Sequence, residues 1–146
     1  LLSQPLSDNA WLTSAKQAQE LIKNAPNIIL IPKLEIRELV AFYQMAQMLI
    51  YPSFYEGFGL PVVEAFTTHC PVITSHRGSL AEVAGHAALI VNPENESEIA
   101  QAIQKISQNP KLSQQLIDKG KKKAQQFNWA LTAEKTYQVY VEALNT

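Results

Sequence analysis

The chain has a single cysteine, Cys70, among its 146 residues, which excludes an internal disulfide and fits a reducing compartment. It has no apolar run near the roughly 18 residues needed to span a bilayer, and residues 1–9, LLSQPLSDN, lack the charged and apolar regions of a signal peptide. Basic blocks are absent apart from the lysine-rich stretch 119–123 in a helical pattern, and the formal net charge is −1, so no nucleic-acid partner is expected. The three histidines, His69, His76 and His86, show no ligand spacing with one another or with Cys70, and there is no DxD pair for a divalent ion. No metal or other cofactor is therefore expected. With 47% apolar and 17% charged residues, what remains is a soluble, cytoplasmic globular domain able to bury a core. The chain opens on Leu1-Leu2 without an initiating Met, and reads as a cut end.

Short β-branched runs alternate with helical patterns. A first helix is expected over residues 9–24, capped by Ser7 or Asp8 and ended by Pro26. Ile28-Ile29-Leu30-Ile31 reads as a buried parallel strand, followed by a helix over 35–47 with Ile36, Leu39, Val40, Tyr43 and Ala46 on one side. Met48–Tyr51, 71–74 and 88–91 read as further strands, with helices over 60–69 and 79–84 between them. After Asn92-Pro93 come three helices without an intervening strand, over 96–108, 111–126 and 129–145, the last capped by Asn128. The alternation predicts one α/β domain over residues 1–146, a Rossmann-like, doubly wound parallel sheet with flanking helices. Cys70, Phe127 and Trp129 are expected in its core.

In such sheets ligands bind beyond the carboxyl ends of the strands, and every polar loop that could build a site follows an expected strand. The richest is 53–60, SFYEGFGL, opening a helix at Pro61. Gly57 and Gly59 allow positive φ and close approach of the backbone to a ligand. A helix start presents free amides and a positive dipole end, which favour a phosphate; Leu60 and the residues after Pro61 are the candidate donors. Glu56 and Glu64 flank this anion site. A carboxylate beside a diphosphate makes sense when it accepts from neighbouring hydroxyls, so the pair points to a ligand with both phosphate and vicinal hydroxyls, such as a sugar nucleotide. Taken alone, a glutamate in a first helical turn is usually just a dipole partner, and a GxG turn is weak.

Glu56 and Glu64, with seven residues between them and GFGLP inside, resemble the EX7E motif of the retaining GT-B glycosyltransferases of family 4. The likeness extends to IILIPKLEIRELVAFYQMA before the motif, EAFTTHCPVITSHRGSLAEVAGHAALIVNPEN after it, and PKLSQQLIDKGKKKAQQFNWALTAEKTYQVY at the end. The resemblance implies that the chain is most of the C-terminal, donor-binding domain of a GT-B enzyme, lacking its first strands and its N-terminal acceptor domain. Glu64 would hold the ribose hydroxyls, and Glu56 would serve catalysis at the donor sugar. The backbone of Gly57, Phe58 and Gly59 would line the sugar pocket, and that of Leu60 would face the diphosphate. Pro32 and Lys33 fall where the family seats the base, and Arg77 and Gly78 lie in a further loop on the same edge. Glu82 matches a recurrent family glutamate that is equally a structural residue.

The sequence departs from the family at Pro32, where a glycine is usual and no N–H is available, and in the absence of the family's phosphate-binding Arg and Lys. The implied reaction is transfer of a hexosyl group from a nucleoside diphosphate sugar to an acceptor hydroxyl, with the anomeric configuration kept. The acceptor would be a glycan, lipid or small molecule held by the other domain, in a cytoplasmic enzyme or one peripheral to the membrane. A non-catalytic nucleotide-sugar-binding module, a sugar-nucleotide epimerase and a phosphorylase are the alternatives.

Overall fold

The computed structural model describes residues 20, 22 and 25–145. These fall into two units, divided between Glu38 and Leu39. In the first, Glu20 and Ile22 are helical; the rest of the helix expected over 9–24 lies outside the described residues. Residues 28–35 have no regular secondary structure. The strand expected at Ile28–Ile31 is therefore not formed: all four side chains are exposed, Ile29 to 81%, and none of these residues pairs into the sheet. A parallel strand exists only through a neighbouring ladder, and an apolar run by itself cannot supply one.

Helix α1, Ile36–Met45, leads into the second unit. It buries none of its residues, contrary to the apolar stripe expected from Ile36, Leu39 and Val40, although Tyr43 packs against the core. The sheet has three parallel strands, one fewer than expected, in the order β1, Leu49–Tyr51; β2, Val72–Ser75; β3, Leu89–Val91. Between them run α2, Leu60–Thr67, and the short α3, Leu80–Ala84. Three helices follow: α4, Glu96–Gln108; α5, Pro110–Ala124; and α6, Trp129–Leu144.

Every residue of β2 is buried, as befits a central parallel strand covered on both faces. Its alternation divides the core. Val72 joins Val62, Phe66, Leu80 and Val83 on one side, while Ile73 joins Val91, Ala102, Ile106 and Leu116 on the other. Helix α5 reaches both clusters through Ala124 and Leu116, and approaches α2 closely at Gly120, where an added Cβ would lie 2.7 Å from Phe66 Cδ1.

Helix α2 ends in a left-handed residue, His69, at φ 64. The Cys70 amide donates to Ala65 O at 2.8 Å and the His69 amide to Phe66 O at 3.3 Å, the paired bonds that close a helix and turn the chain. The turn delivers Cys70 into the core at 2% exposure, as expected, and burial pushes its thiol up. Trp129, expected inside, is 80% exposed. It is the first residue of α6, a helix with no buried residue.

Candidate functional site

The site lies where β1 and β2 end. Beyond Tyr51 the chain runs irregularly to Gly59, and beyond Ser75 it runs irregularly to Ser79. The two loops hold each other by main-chain acceptors. Thr74 Oγ1 donates to Tyr51 O at 2.9 Å and Ser75 Oγ to Ser53 O at 2.5 Å. Ser79 Oγ donates to Glu56 O at 3.0 Å, and the Ser79 amide to the same oxygen at 3.4 Å.

Gly78, at φ 56, passes so close that a Cβ there would lie 2.9 Å from Glu56 O. Glu56 is thus seated by the neighbouring loop as well as by its own.

The two glycines of the GFG turn differ. Gly59 has φ 94, and a Cβ would lie 2.6 Å from Leu80 Cδ2, so the protein itself requires glycine there. Gly57 has no positive φ, and a Cβ would meet nothing within 4 Å. The expectation of positive φ thus holds for one glycine only. Gly59 is also the N-cap of α2, with no side-chain hydrogen bond. Pro61, in the first turn as expected, has no amide to satisfy.

Both glutamates are half-buried, and each carboxylate accepts from a tyrosine. Tyr43 Oη donates to Glu64 Oε2 at 3.1 Å, and Tyr51 Oη to Glu56 Oε1 at 2.5 Å. Burial, with Glu56 beside it, pushes Tyr51 up to about 12. Burial, and then the charge of Glu64, also raise Tyr43. Tyr51 feels the charge of Glu64 too, so Glu56, Glu64, Tyr43 and Tyr51 form one cluster. The sequence places Tyr43 only on an apolar helix face and Tyr51 only at a strand end. The signal that could have found them is their position, one near the end of α1 and the other closing β1, on the elements leading into the glutamate loop.

Glu56, Gly57, Phe58, Gly59, Leu60, Glu64 and Gly78 therefore belong to one set of contiguous loops and the first turns of α2. Arg77 lies in the same loop as Gly78, but its guanidinium reaches Glu94 Oε2 at 3.5 Å across exposed surface. Such a pair contributes on the order of 0–1 kcal/mol. Pro32 and Lys33 are exposed residues of the first unit. Glu82 is exposed in α3, and His76 and His86 are exposed in loops. Among the described residues there is no group of three or more His, Cys, Asp or Glu side chains that could hold a metal ion.

A cavity of about 540 Å³ adjoins the turn, lined by Phe58, Leu60, Val63, Phe127, Trp129 and Leu131 among others. Phe58 meets Phe127 edge-on, with ring centres 5.6 Å apart, and Lys123 Nζ lies 5.4 Å from the Phe127 ring centre.

Residues 10–123 match the family model for glycosyl transferases group 1. The chain belongs to this family. It is 36% identical over 103 residues to O-antigen chain mannosyltransferase B of Escherichia coli, covering 70% of this chain and 27% of that protein. It is 34% identical over 111 residues to the MMP alpha-(1->4)-mannosyltransferase of Mycolicibacterium hassiacum, covering 73% and 27%. The chain thus spans about a quarter of the length of these curated relatives. Among solved structures, sucrose-phosphate synthase from Thermosynechococcus elongatus superposes with a TM-score of 0.81 at 28% identity, over 98% of this chain and 37% of that one. A glycosyltransferase from Rickettsia africae superposes with a TM-score of 0.78 over 93% and 38%, at 22% identity, a likeness of fold. These neighbours are GT-B glycosyltransferases, and the described residues share their α/β architecture, with a three-stranded parallel sheet flanked by helices. No helix among the described residues is long and apolar enough to cross a membrane.

Proposed function

We propose that this chain is the donor-binding, C-terminal half of a retaining hexosyltransferase of family 4, using a nucleoside diphosphate sugar. The observation that carries the reading is the pair Glu56 and Glu64, fixed on either side of a glycine turn that opens an uncapped helix. The start of α2 offers the diphosphate the Leu60 amide and a positive dipole end; the Val62 amide, expected as a further donor, is bonded to Gly59 O at 3.0 Å, and Pro61 has none. Glu64 takes the ribose hydroxyls, and Glu56 takes hydroxyls of the sugar near the reacting carbon. Gly57, Phe58 and Gly59 line the sugar, and Arg77 and Gly78 add further donor contacts. Positioning the donor and stabilising the charge that develops on the departing diphosphate are the physical contributions of this half. The proposal includes no metal ion. The acceptor hydroxyl, on a glycan, lipid or small molecule, is assigned to another domain of a cytoplasmic or membrane-peripheral enzyme. Both curated relatives described above are mannosyltransferases by name, which makes a mannosyl donor the first to test.

The test uses the full-length protein with UDP-, GDP- and ADP-hexoses, following release of nucleoside diphosphate and the anomeric configuration of the product. Glu64→Ala is expected to weaken nucleotide binding, and Glu56→Ala to lower turnover, each about ten- to a hundredfold, the range for one charged hydrogen bond. Unchanged kinetics in both variants reject the site. Binding without consumption of any donor makes the protein a sensor instead, and an epimeric sugar nucleotide as product makes it an epimerase.

A further inference from the structure

Neither Tyr43 nor Tyr51 is needed by the proposal above, yet each is bonded to one of its two glutamates. The Tyr43 bond joins residues 21 apart in sequence, bringing α1 against the second turn of α2; the Tyr51 bond reaches five residues on from the last residue of β1. Each phenol takes one carboxylate oxygen. Among the described residues nothing donates to the other oxygen, Oε1 of Glu64 or Oε2 of Glu56. Both tyrosines are half-buried and both rings are held, Tyr43 and Tyr51 alike packing against the core cluster of Val62, Phe66 and Val72.

The chemistry of the donor matters here. An ionised carboxylate accepts through about four lone-pair sites, and a phenol fills one. An arginine in the same place would fork across both oxygens and neutralise the charge. A tyrosine leaves the charge and the second oxygen to a ligand. It also removes rotamer freedom from a long side chain, an entropy that binding would otherwise have to overcome.

We propose that Tyr43 and Tyr51 are positioning residues, each tethering one oxygen of Glu64 or Glu56 so that the free oxygen is aimed at a donor hydroxyl before the donor arrives. This rests on the assignment of the two glutamates to ribose and sugar. The elevated phenol values keep both tyrosines protonated, and therefore donating, throughout neutral and mildly alkaline pH. Their roles differ as the glutamates differ: Tyr43 acts on nucleotide affinity through Glu64, and Tyr51 on turnover through Glu56.

The experiment is a pair of double-mutant cycles in the full-length protein. Tyr43→Phe and Glu64→Ala, singly and together, are titrated with UDP, GDP and ADP by calorimetry. Tyr43→Phe is expected to weaken the nucleotide that binds by about three- to tenfold, the scale of one hydrogen bond, and to add nothing in the Glu64→Ala background. Tyr51→Phe is expected to lower kcat by a similar factor with little change in nucleotide affinity, and to add nothing to Glu56→Ala.

Equal losses in both backgrounds make the tyrosines packing residues and overturn the inference. If Glu64→Ala weakens binding and Tyr43→Phe does not, the inference falls and the glutamate assignment stands. If Glu64→Ala itself leaves all three nucleotides unaffected, the assignment falls and the Tyr43 role with it. The Phe variants keep the ring; should Tyr43→Phe nevertheless fail to fold, the Tyr51 cycle, read through kcat, decides the same claim.

Discussion

Helices α4, α5 and α6 begin on Asn95, Asn109 and Asn128, whose side chains accept from the amide three residues on, whereas α2 begins on left-handed Gly59 with no capping side chain. The two ends of the unit satisfy their backbone by different means. In the C-terminal helices the cap is local and takes up one of the free amides of the helix start. At α2 the shape of the turn is imposed from the next loop, through Ser75, Ser79 and Gly78; the Val62 amide bonds Gly59 O, and that of Leu60 has no partner among the described residues. A start left open but held rigid is what an anion site requires. The same contrast separates two crowded glycines, Gly78 against the backbone of Glu56 and Gly120 against the ring of Phe66.

That pair gives the largest expected effects. Gly78→Ala places a methyl 2.9 Å from a backbone oxygen at φ 56, so strain and crowding together are expected to cost about 2–3 kcal/mol. Because the atom displaced is Glu56 O, kcat should fall as well at temperatures where the variant is folded. Gly120→Ala meets a ring edge 2.7 Å away inside a helix and is expected to cost about 1–3 kcal/mol, with kcat unchanged. Denaturant unfolding and turnover, measured on both, separate the regions; a loss of kcat in Gly120→Ala would erase the distinction.

Within the turn, Gly59→Ala and Gly57→Ala are expected to part in the same manner. The first forces an L residue to φ 94 against Leu80 and should destabilise by about 1–3 kcal/mol. The second adds a methyl to open space and should leave stability within about 0.5 kcal/mol, while lowering turnover if the donor sugar lies against that backbone. Thermal unfolding combined with donor kinetics checks both, and a Gly57→Ala variant with full activity removes Gly57 from the pocket.

Much of this was legible in the sequence, and the parts that were not share a cause. Short β-branched runs between prolines and glycines marked β1, β2 and β3 within a residue or so, and Pro61 and Asn128 marked helix starts that the structure confirms. Cys70 was readable as core because a small apolar stretch surrounds it. Ile28–Ile31 has the same local pattern as those strands but no ladder in the structure, and pairing is not a property of four residues. Trp129 was misplaced because a helix's burial depends on what packs over it. The bonds from Tyr43 to Glu64 and from Tyr51 to Glu56 depend on how α1 and β1 lie against α2 and its loop, which no spacing encodes. Nor can a GxG pattern state which glycine carries the positive φ; the Leu80 side chain decides it.

A cap deletion sharpens the contrast at a smaller scale. Asn109 Oδ1 accepts from the Leu112 amide at 3.0 Å at an exposed helix start. Asn109→Ala is expected to cost about 1 kcal/mol of stability and nothing in nucleotide affinity, as measured by denaturant unfolding and calorimetry. A drop in affinity would mean that α5 communicates with the turn.

An effect confined to high pH is expected from Tyr51. Burial and the bond to Glu56 raise its phenol from 10.0 to about 12. The unfolded chain therefore loses this proton first, and between pH 10 and pH 12 the folded state binds more protons than the unfolded one. The resulting stability is fully present below pH 10 and is lost as pH rises through about 12. Tyr51→Phe abolishes the contribution, so its stability should fall less steeply than the parent's across that window, with the two curves parallel below it. Urea unfolding at a series of pH values measures the slopes. If the slopes match, the Tyr51 phenol does not feel its surroundings as the bond to Glu56 requires, and the turn loses one of the constraints that set it apart from the asparagine-capped helices.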